Sequence, residues 1–205
     1  PFRTPKLTPS RARTMPAAIR LNRMVIAEAR RTFTYLSLFG YQVDAVVVNR
    51  VLPDAAADAW FDDWRRSQEE HLVTIQESFA PLPVFRAEHA GGEVLGLDAL
   101  ADFAVRLWAD TDPSARLVED QPLRICRDGD DVVLSIELPF TERDEVDLTR
   151  NADELFIAVG PHRRNLVLPE SLRRRRISSA SLVDGRLDVA FSPPADRGGA
   201  VADGE

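Results

Sequence analysis

The hydrophobic period changes once along this chain, at Pro122, and that change limits the folds open to it. Before Pro122 apolar residues recur at three- and four-residue steps; beyond it they alternate. A helix buries every third or fourth residue and a strand every second, so an α/β part is followed by an all-β part. The 205 residues suffice for one large domain or two small ones. Two is what the change of period implies.

In the first part, Val25, Ile26, Ala29, Phe33, Leu36 and Phe39 form the apolar face of a helix over Arg23–Phe39, and Gly40 stands where a left-handed cap is expected. The continuous run Ala45-Val46-Val47-Val48 follows. Apolar residues without alternation predict a strand covered on both faces, as in the middle of a parallel sheet. A second helix is predicted from about Ala57 to Phe79, with Trp60, Trp64, His71 or Leu72, Ile75 and Phe79 on one side, the two tryptophans more as core than as surface. Pro81 and Pro83 stop it, leaving Leu82–Phe85 as a short edge strand. A third helix, about Leu97 to Trp108, is expected to turn Leu97, Leu100, Ala101, Ala104 and Leu107 inward.

Residues 1–18 carry four prolines and read as a disordered basic arm, residues 110–121 as a polar linker and 193–205 as a disordered tail. The first residue is Pro1, which points to processing or to a piece of a longer polypeptide. Between linker and tail, seven strands are predicted: Leu123–Arg127, Val132–Leu138, Val146–Thr149, Leu155–Val159, Asn165–Leu168, Ile177–Leu182 and Arg186–Phe191. Asp128-Gly129 and Asp184-Gly185 mark tight hairpins. That density of short strands over residues 122–192 is a β-sandwich pattern.

Charge and composition exclude several functions. One cysteine, Cys126, and three scattered histidines supply no ligand cluster for a structural zinc or a thiolate-bound metalloid, so no metal site is expected. The basic residues are 25 arginines and Lys6, and the net charge is -7, which disfavours nucleic acid as a partner of the whole chain. No apolar run is long enough to span a membrane, and residues 1–20 have no secretory core, so the cytoplasm is the expected location. Gly91-Gly92 is the glycine pair between the first helix and the linker, and no lysine follows it; phosphoryl transfer needs backbone donors and a positive charge together. Asp44, ahead of the buried run, does not fit a metal-holding switch, and no Ser-His-Asp or Cys-His set can be placed. The residues alone support no catalysis.

The stretch MVIAEARRTFTYLSLFGYQVDAVVVNRVLP (Met24–Pro53), with the Trp- and Arg-bearing helix, the proline strand and the turn at Glu93, Val94, Gly96 and Leu97, resembles the C-terminal third of the arsenite-pump (ArsA) ATPase family over residues 19–109. Residues 122–192 resemble the small heat-shock, or α-crystallin, domain, most closely at Ala180, Asp184-Gly185 and Leu187. The resemblance implies a partial P-loop ATPase layer followed by an α-crystallin-type sandwich. It further implies ATP and Mg in the complete protein, with hydrolysis coupled to an anion or an apolar client, and it maps the adenine-reading Asn-Arg pair onto Asn49 and Arg50.

A carboxamide offers a donor and an acceptor side by side, which suits a purine edge, but the same side chain can cap the strand end. Where the family has Pro-Leu in its second adenine loop, this chain has Glu88-His89. The phosphate loop, both switch segments and the dimer-bridging Cys-x-x-Cys have no counterpart in the sequence, the last being replaced around Asp54–Asp63, so the chain by itself is expected to be inactive and to hold no ATP tightly. An apolar protein client, the missing ATPase half and a second copy are the partners implied. A non-enzymatic chaperone or protein-binding module is the alternative, since α-crystallin domains receive extended segments at sheet edges. No Ile-x-Ile pair follows the sandwich, so a large heat-shock-type assembly is not expected. Arg173–Arg176 read as a solvated loop or, alternatively, an anionic-partner patch. Lacking neighbours for its buried strand, the region 19–109 is expected to be marginally stable.

Overall fold

The structure is a computed structural model that describes residues 15–54 and 58–194. Most of the basic arm, residues 1–14, and the tail from residue 195 lie outside the described residues. Two compact units divide the chain: residues 15–122 with Leu138–Phe140, and Leu123–Glu137 with residues 141–194.

The first unit is a three-stranded parallel sheet with helical crossovers. Strand β1 (Met15–Arg20) leads into α1 (Arg23–Leu38), then β2 (Val43–Val51), α2 (Asp62–Phe79), β3 (Val84–Glu88) and α3 (Gly96–Trp108). The order is β1-β2-β3, so the apolar run Ala45–Val48 is central. Asn22 starts α1 by accepting the Met24 N–H (2.9 Å). At its other end Gly40, at φ 80, lets the Tyr41 N–H reach the Leu36 carbonyl (2.8 Å). Ile19, Val46, Val48, Leu72, Ile75 and Phe79 are buried in one core.

The expected boundary of the arm at residue 18 is corrected by β1, which takes in residues 15–18 and pairs in parallel with β2. Pro16 is compatible with a strand because β1 is at the sheet edge and the register shifts between Met15 and Pro16. The central strand is therefore bonded on both sides, which removes the premise for expecting residues 19–109 to be marginal. The proline strand begins at Val84 rather than Leu82, and α2 at Asp62 after a 3₁₀ turn over Ala59–Phe61.

The linker is also corrected, because residues 116–118 pack with the first unit. Gln42 donates to the Val118 carbonyl and accepts from Arg116 (3.0 Å), while the Leu117 N–H reaches Asp44 (3.5 Å). Gln42 and Asp44 are buried, so these bonds satisfy polar groups that would otherwise be costly. Upstream, Asp112 accepts the backbone N–H (2.8 Å) and hydroxyl (2.6 Å) of Ser114, and those bonds hold its carboxyl below the usual carboxylate value. A depressed folded pKa contributes above the unfolded value and is lost as pH falls through the folded one. NMR titration of the Asp112 carboxyl should therefore give a midpoint below that of an unstructured peptide, and Ser114→Ala should raise it.

The second unit has two antiparallel sheets. One has the order β4-β5-β10-β9, built from β4 (Leu123–Asp128), β5 (Asp131–Glu137), β9 (Arg176–Val183) and β10 (Arg186–Ser192). The other is β6-β7-β8, from β6 (Val146–Asn151), β7 (Glu154–Val159) and β8 (His162–Val167). The seven predicted strands correspond to β4–β10, and alternation is clearest on β7, where Leu155, Ile157 and Val159 are buried, and on β10, where Leu187, Val189 and Phe191 are. Asp184 and Gly185 both have positive φ, as the tight β9–β10 hairpin requires.

Residues 173–176 run from the end of a short helix through a turn into β9, with Arg173, Arg174 and Arg176 exposed, as the solvated-loop reading expects, and Arg175 half-buried. A one-turn helix α4 (Glu170–Arg173) precedes β9, and Arg173 donates to the Leu168 carbonyl (2.7 Å) and pairs with Asp153 (3.4 Å). Arg175 donates to the Asp130 (2.6 Å) and Phe191 (3.2 Å) carbonyls, and Arg174 pairs with Glu170 (3.1 Å). Arg150 completes the corner: its guanidinium donates to the carbonyls of Ala152 (3.1 Å), Arg173 (2.7 Å) and Arg175 (2.6 Å) and lies 5.9 Å from the Phe191 ring centre.

Candidate functional site

In a parallel sheet the loops that can surround a ligand gather at the carboxyl ends of the strands. The first unit has a cleft of about 350 Å³ there, lined by Asn49 and Arg50 from the end of β2 and by Glu88, His89, Gly92 and Glu93 from the end of β3 and its following loop. The structure thus brings together the two residues singled out in the sequence and the Glu88-His89 pair. Both Asn49 and Arg50 are exposed.

Local backbone geometry shapes this edge. Arg50 has φ 60, and the β2–β3 register shifts between Asn49 and Val51, so Arg50 is the extra residue of a bulge. A bulge re-aims the side chains on either side of it. Asn49 Oδ1 accepts the Arg50 N–H (2.8 Å), which realises the strand-end capping foreseen as one role of Asn49, and among the described residues none accepts from its Nδ2. Glycine is the usual residue at positive φ, so an arginine in that conformation left no mark in the sequence.

Across the ladder, the His89 N–H donates to the Val51 carbonyl (2.8 Å), extending the pairing one residue past β3. His89 Nδ1 accepts the Gly91 N–H (3.0 Å), and Gly91 takes φ 72 to close that turn. The sequence flagged His89 only as a departure from a pattern. Its place beside Asn49 depends on strand pairing, which no local motif encodes.

The lining carries one cation, Arg50, against the carboxylates Glu88 and Glu93. Such a set suits the neutral, hydrogen-bonding end of a ligand and is a poor cradle for an anionic tail. Among the described residues no group of three His, Cys, Asp or Glu side chains is placed to hold a metal ion.

Two expected apolar surfaces differ from prediction. The inward face assigned to α3 is covered only at its C-terminal end: Leu97 is 85% exposed, Leu100 51% and Ala101 exposed, whereas Ala104 and Leu107 are half-buried, and the helix meets β3 through Trp108 against Phe85, with ring centres 4.8 Å apart. A helical period reports that a face exists and says nothing about a surface to meet it. Likewise Trp60 and Trp64 are 71% and 64% exposed, stacked on each other at 6.1 Å instead of entering the core. The described helices include none long and apolar enough to cross a membrane.

Comparison with known proteins gives two family matches in tandem. The family model described as anion-transporting ATPase matches residues 6–109, and the one described as an HSP20-like domain found in ArsA matches residues 129–191. A protein of Chlorobaculum tepidum named as an arsenical pump-driving ATPase is 32% identical over 185 residues, covering 90% of this chain and 46% of its own length. An uncharacterised protein of Streptomyces coelicolor is 40% identical over 170 residues, covering 82% and 42% respectively. The chain thus spans less than half the length of these relatives. Among solved structures, a small heat shock protein of Synechococcus phage S-ShM2 aligns with 37% of this chain and 96% of its own, at 16% identity and a TM-score of 0.30.

Proposed function

Because the chain belongs to the anion-transporting ATPase (ArsA) family and carries that family's HSP20-like domain, we propose that its first unit supplies the base-side edge of an ATP site, with Asn49 and Arg50 toward the purine ring. The observation that supports this reading most directly is the cleft at the carboxyl ends of β2 and β3, where both residues meet the β3–α3 loop. In the complete protein, ATP hydrolysis is coupled to the handling of an anion or an apolar client in the cytoplasm. The missing ATPase half and a second copy of the chain are its further partners.

The residues present fit one end of the nucleotide. Asn49 offers the Nδ2 donors and a partly used Oδ1 acceptor to a purine edge, a set that recognises the ring without any charge. The triphosphate does not fit, because two carboxylates line the cleft and the sequence has no glycine-rich loop ending in lysine, and among the described residues no group of three His, Cys, Asp or Glu is placed to hold its Mg. Phosphate contacts belong to residues outside this sequence, and no hydrolytic step can be assigned to the chain itself.

Two measurements on the purified chain test the reading. With Mg-ATP, phosphate release should stay at the blank rate; turnover above it would overturn the predicted inactivity. In NMR titration with AMP, amides of Asn49, Arg50, Gly91 and Gly92 should shift together, and Asn49→Ala should weaken binding about fivefold, the worth of one neutral hydrogen bond. Shifts confined to the second unit would defeat the base-side assignment.

The second unit supports a separate, non-enzymatic reading. Its sheets end in β4 and β9 on one side and β6 and β8 on the other, so four strands have an outer edge that a further extended segment can join. We propose that it binds extended protein segments in this way. Suppression of a model client's aggregation by the full chain supports it, and no suppression at a tenfold excess argues for a purely structural appendage.

A further inference from the structure

We propose that the outer edge of β9 pairs with the same edge of a second copy of this chain, antiparallel about a two-fold axis at Ala180. This deepens the strand-addition reading of the second unit, on which it rests, by naming one edge and one occupant.

β9 differs from the other edge strands. It pairs with β10 alone, so the backbone donors and acceptors along its other side have no partner in the sheet. Charged side chains blunt such edges: β4 carries Arg124, Arg127 and Asp128, β6 carries Asp147 and Arg150, and β8 carries Arg163 and Arg164. From Ile177 to Val183, β9 carries none. It is also poorly covered, with residues 178–181 exposed, Val183 62% exposed, and Ile177 and Leu182 only half-buried.

The pattern along the strand matches itself when reversed. Ile177, Ala180 and Leu182 stand opposite Phe191, Val189 and Leu187, which are buried, so they share the inner face of the sheet. Ser179, Ser181 and Val183 take the outer face. Ser178 is the extra residue of a bulge, without a partner position on β10, and its hydroxyl donates to the Ala190 carbonyl (3.3 Å). Counted past that bulge, a two-fold axis at Ala180 sets Ser179 against Ser181, Ile177 against Leu182 and Arg176 against Val183, each pair on one face.

Charge chooses the occupant. In this register Arg176 comes beside Asp184, the turn residue after Val183, at both ends of the pairing. Both are exposed, and neither forms an ion pair with a described residue, whereas Arg173 and Arg174 are already paired with Asp153 and Glu170. An unrelated extended segment could use the backbone edge and the apolar positions, but only a reversed copy of β9 brings the opposite charge to each end.

Sedimentation equilibrium of the full chain tests the proposal and should show a reversible monomer–dimer equilibrium in the micromolar range, as suits a small interface. Arg176→Glu or Asp184→Lys alone sets like charges together twice and should weaken the dimer about tenfold, while the two combined should restore it, with the β-sheet circular dichroism unchanged in all three. Under mild oxidation Ala180→Cys should cross-link two copies through the introduced thiol, while Cys126, exposed on β4 at the other edge of the sheet, should not. A chain that stays monomeric throughout that range, or a dimer indifferent to both charge reversals, overturns the proposal. Suppression of client aggregation that persists in either case leaves the strand-addition reading standing, and its loss defeats that reading too.

Discussion

Phe79→Ala should lower the protection of the Ala45–Val48 amides against hydrogen exchange by about 10²–10³-fold, corresponding to about 3–5 kcal/mol. Phe79 ends α2, is fully buried, and packs against the rings of Phe33 (5.9 Å) and Phe140 (5.7 Å), which meet each other at 6.2 Å. Removing it deletes the fully buried member of a three-ring cluster and leaves a cavity in the core that the central strand shares. Phe140→Ala should cost less, since that ring is 42% exposed, though it also stacks under the Arg30 guanidinium (5.5 Å). Equal protection in wild type and Phe79→Ala would mean that the cluster does not support β2.

Arg150→Ala should destabilise the second unit by about 2–4 kcal/mol, read as a lower urea midpoint for the loss of its β-sheet signal. Three carbonyls are satisfied by one guanidinium, and two of them, from Arg173 and Arg175, belong to the turn that feeds β9. Arg150→Lys should recover no more than about half of the loss, because an ammonium is a point donor and cannot span three acceptors in one plane while covering a ring. If lysine restores full stability, charge alone matters and the fork geometry does not. The neighbouring Arg173→Ala separates the cases further, since it removes one carbonyl bond and one exposed ion pair and should cost about 1 kcal/mol.

These two residues mark the limits of what the sequence discloses. Phe79 is readable: it closes an apolar period on a helix stopped by proline, and the central strand is readable because Ala45–Val48 runs without alternation. The sandwich is readable for a related reason, since alternation and Asp-Gly turns are local signals that tertiary contacts did not override. Arg150 is not readable. It is one of 25 arginines, and what distinguishes it is a corner formed by residues more than twenty positions away.

The candidate site divides in the same way. Asn49 and Arg50 follow a strand that announces itself, so their position was inferable. The bulge that turns Arg50 to positive φ has no glycine to betray it, and His89 joins the site only through pairing of β2 with β3. The first strand was hidden because Pro16 and the short run Ala17–Ile19 give neither alternation nor length. The exposed faces of α3 and of Trp60 and Trp64 were misread because amphipathic spacing is identical whether or not a partner surface is present.

Leu138–Phe140 belong with the first unit although they lie beyond β5 in the sequence. A polypeptide leaves the ribosome in order, at about 5–20 residues per second, so the 18 residues between Pro122 and Phe140 take roughly 1–4 s to appear. During that interval Phe33 and Phe79 have already been made while the third ring of their cluster is still to come. The three-ring cluster therefore closes only after part of the second unit has been made, and the first unit is completed by a segment that lies within the second in the sequence.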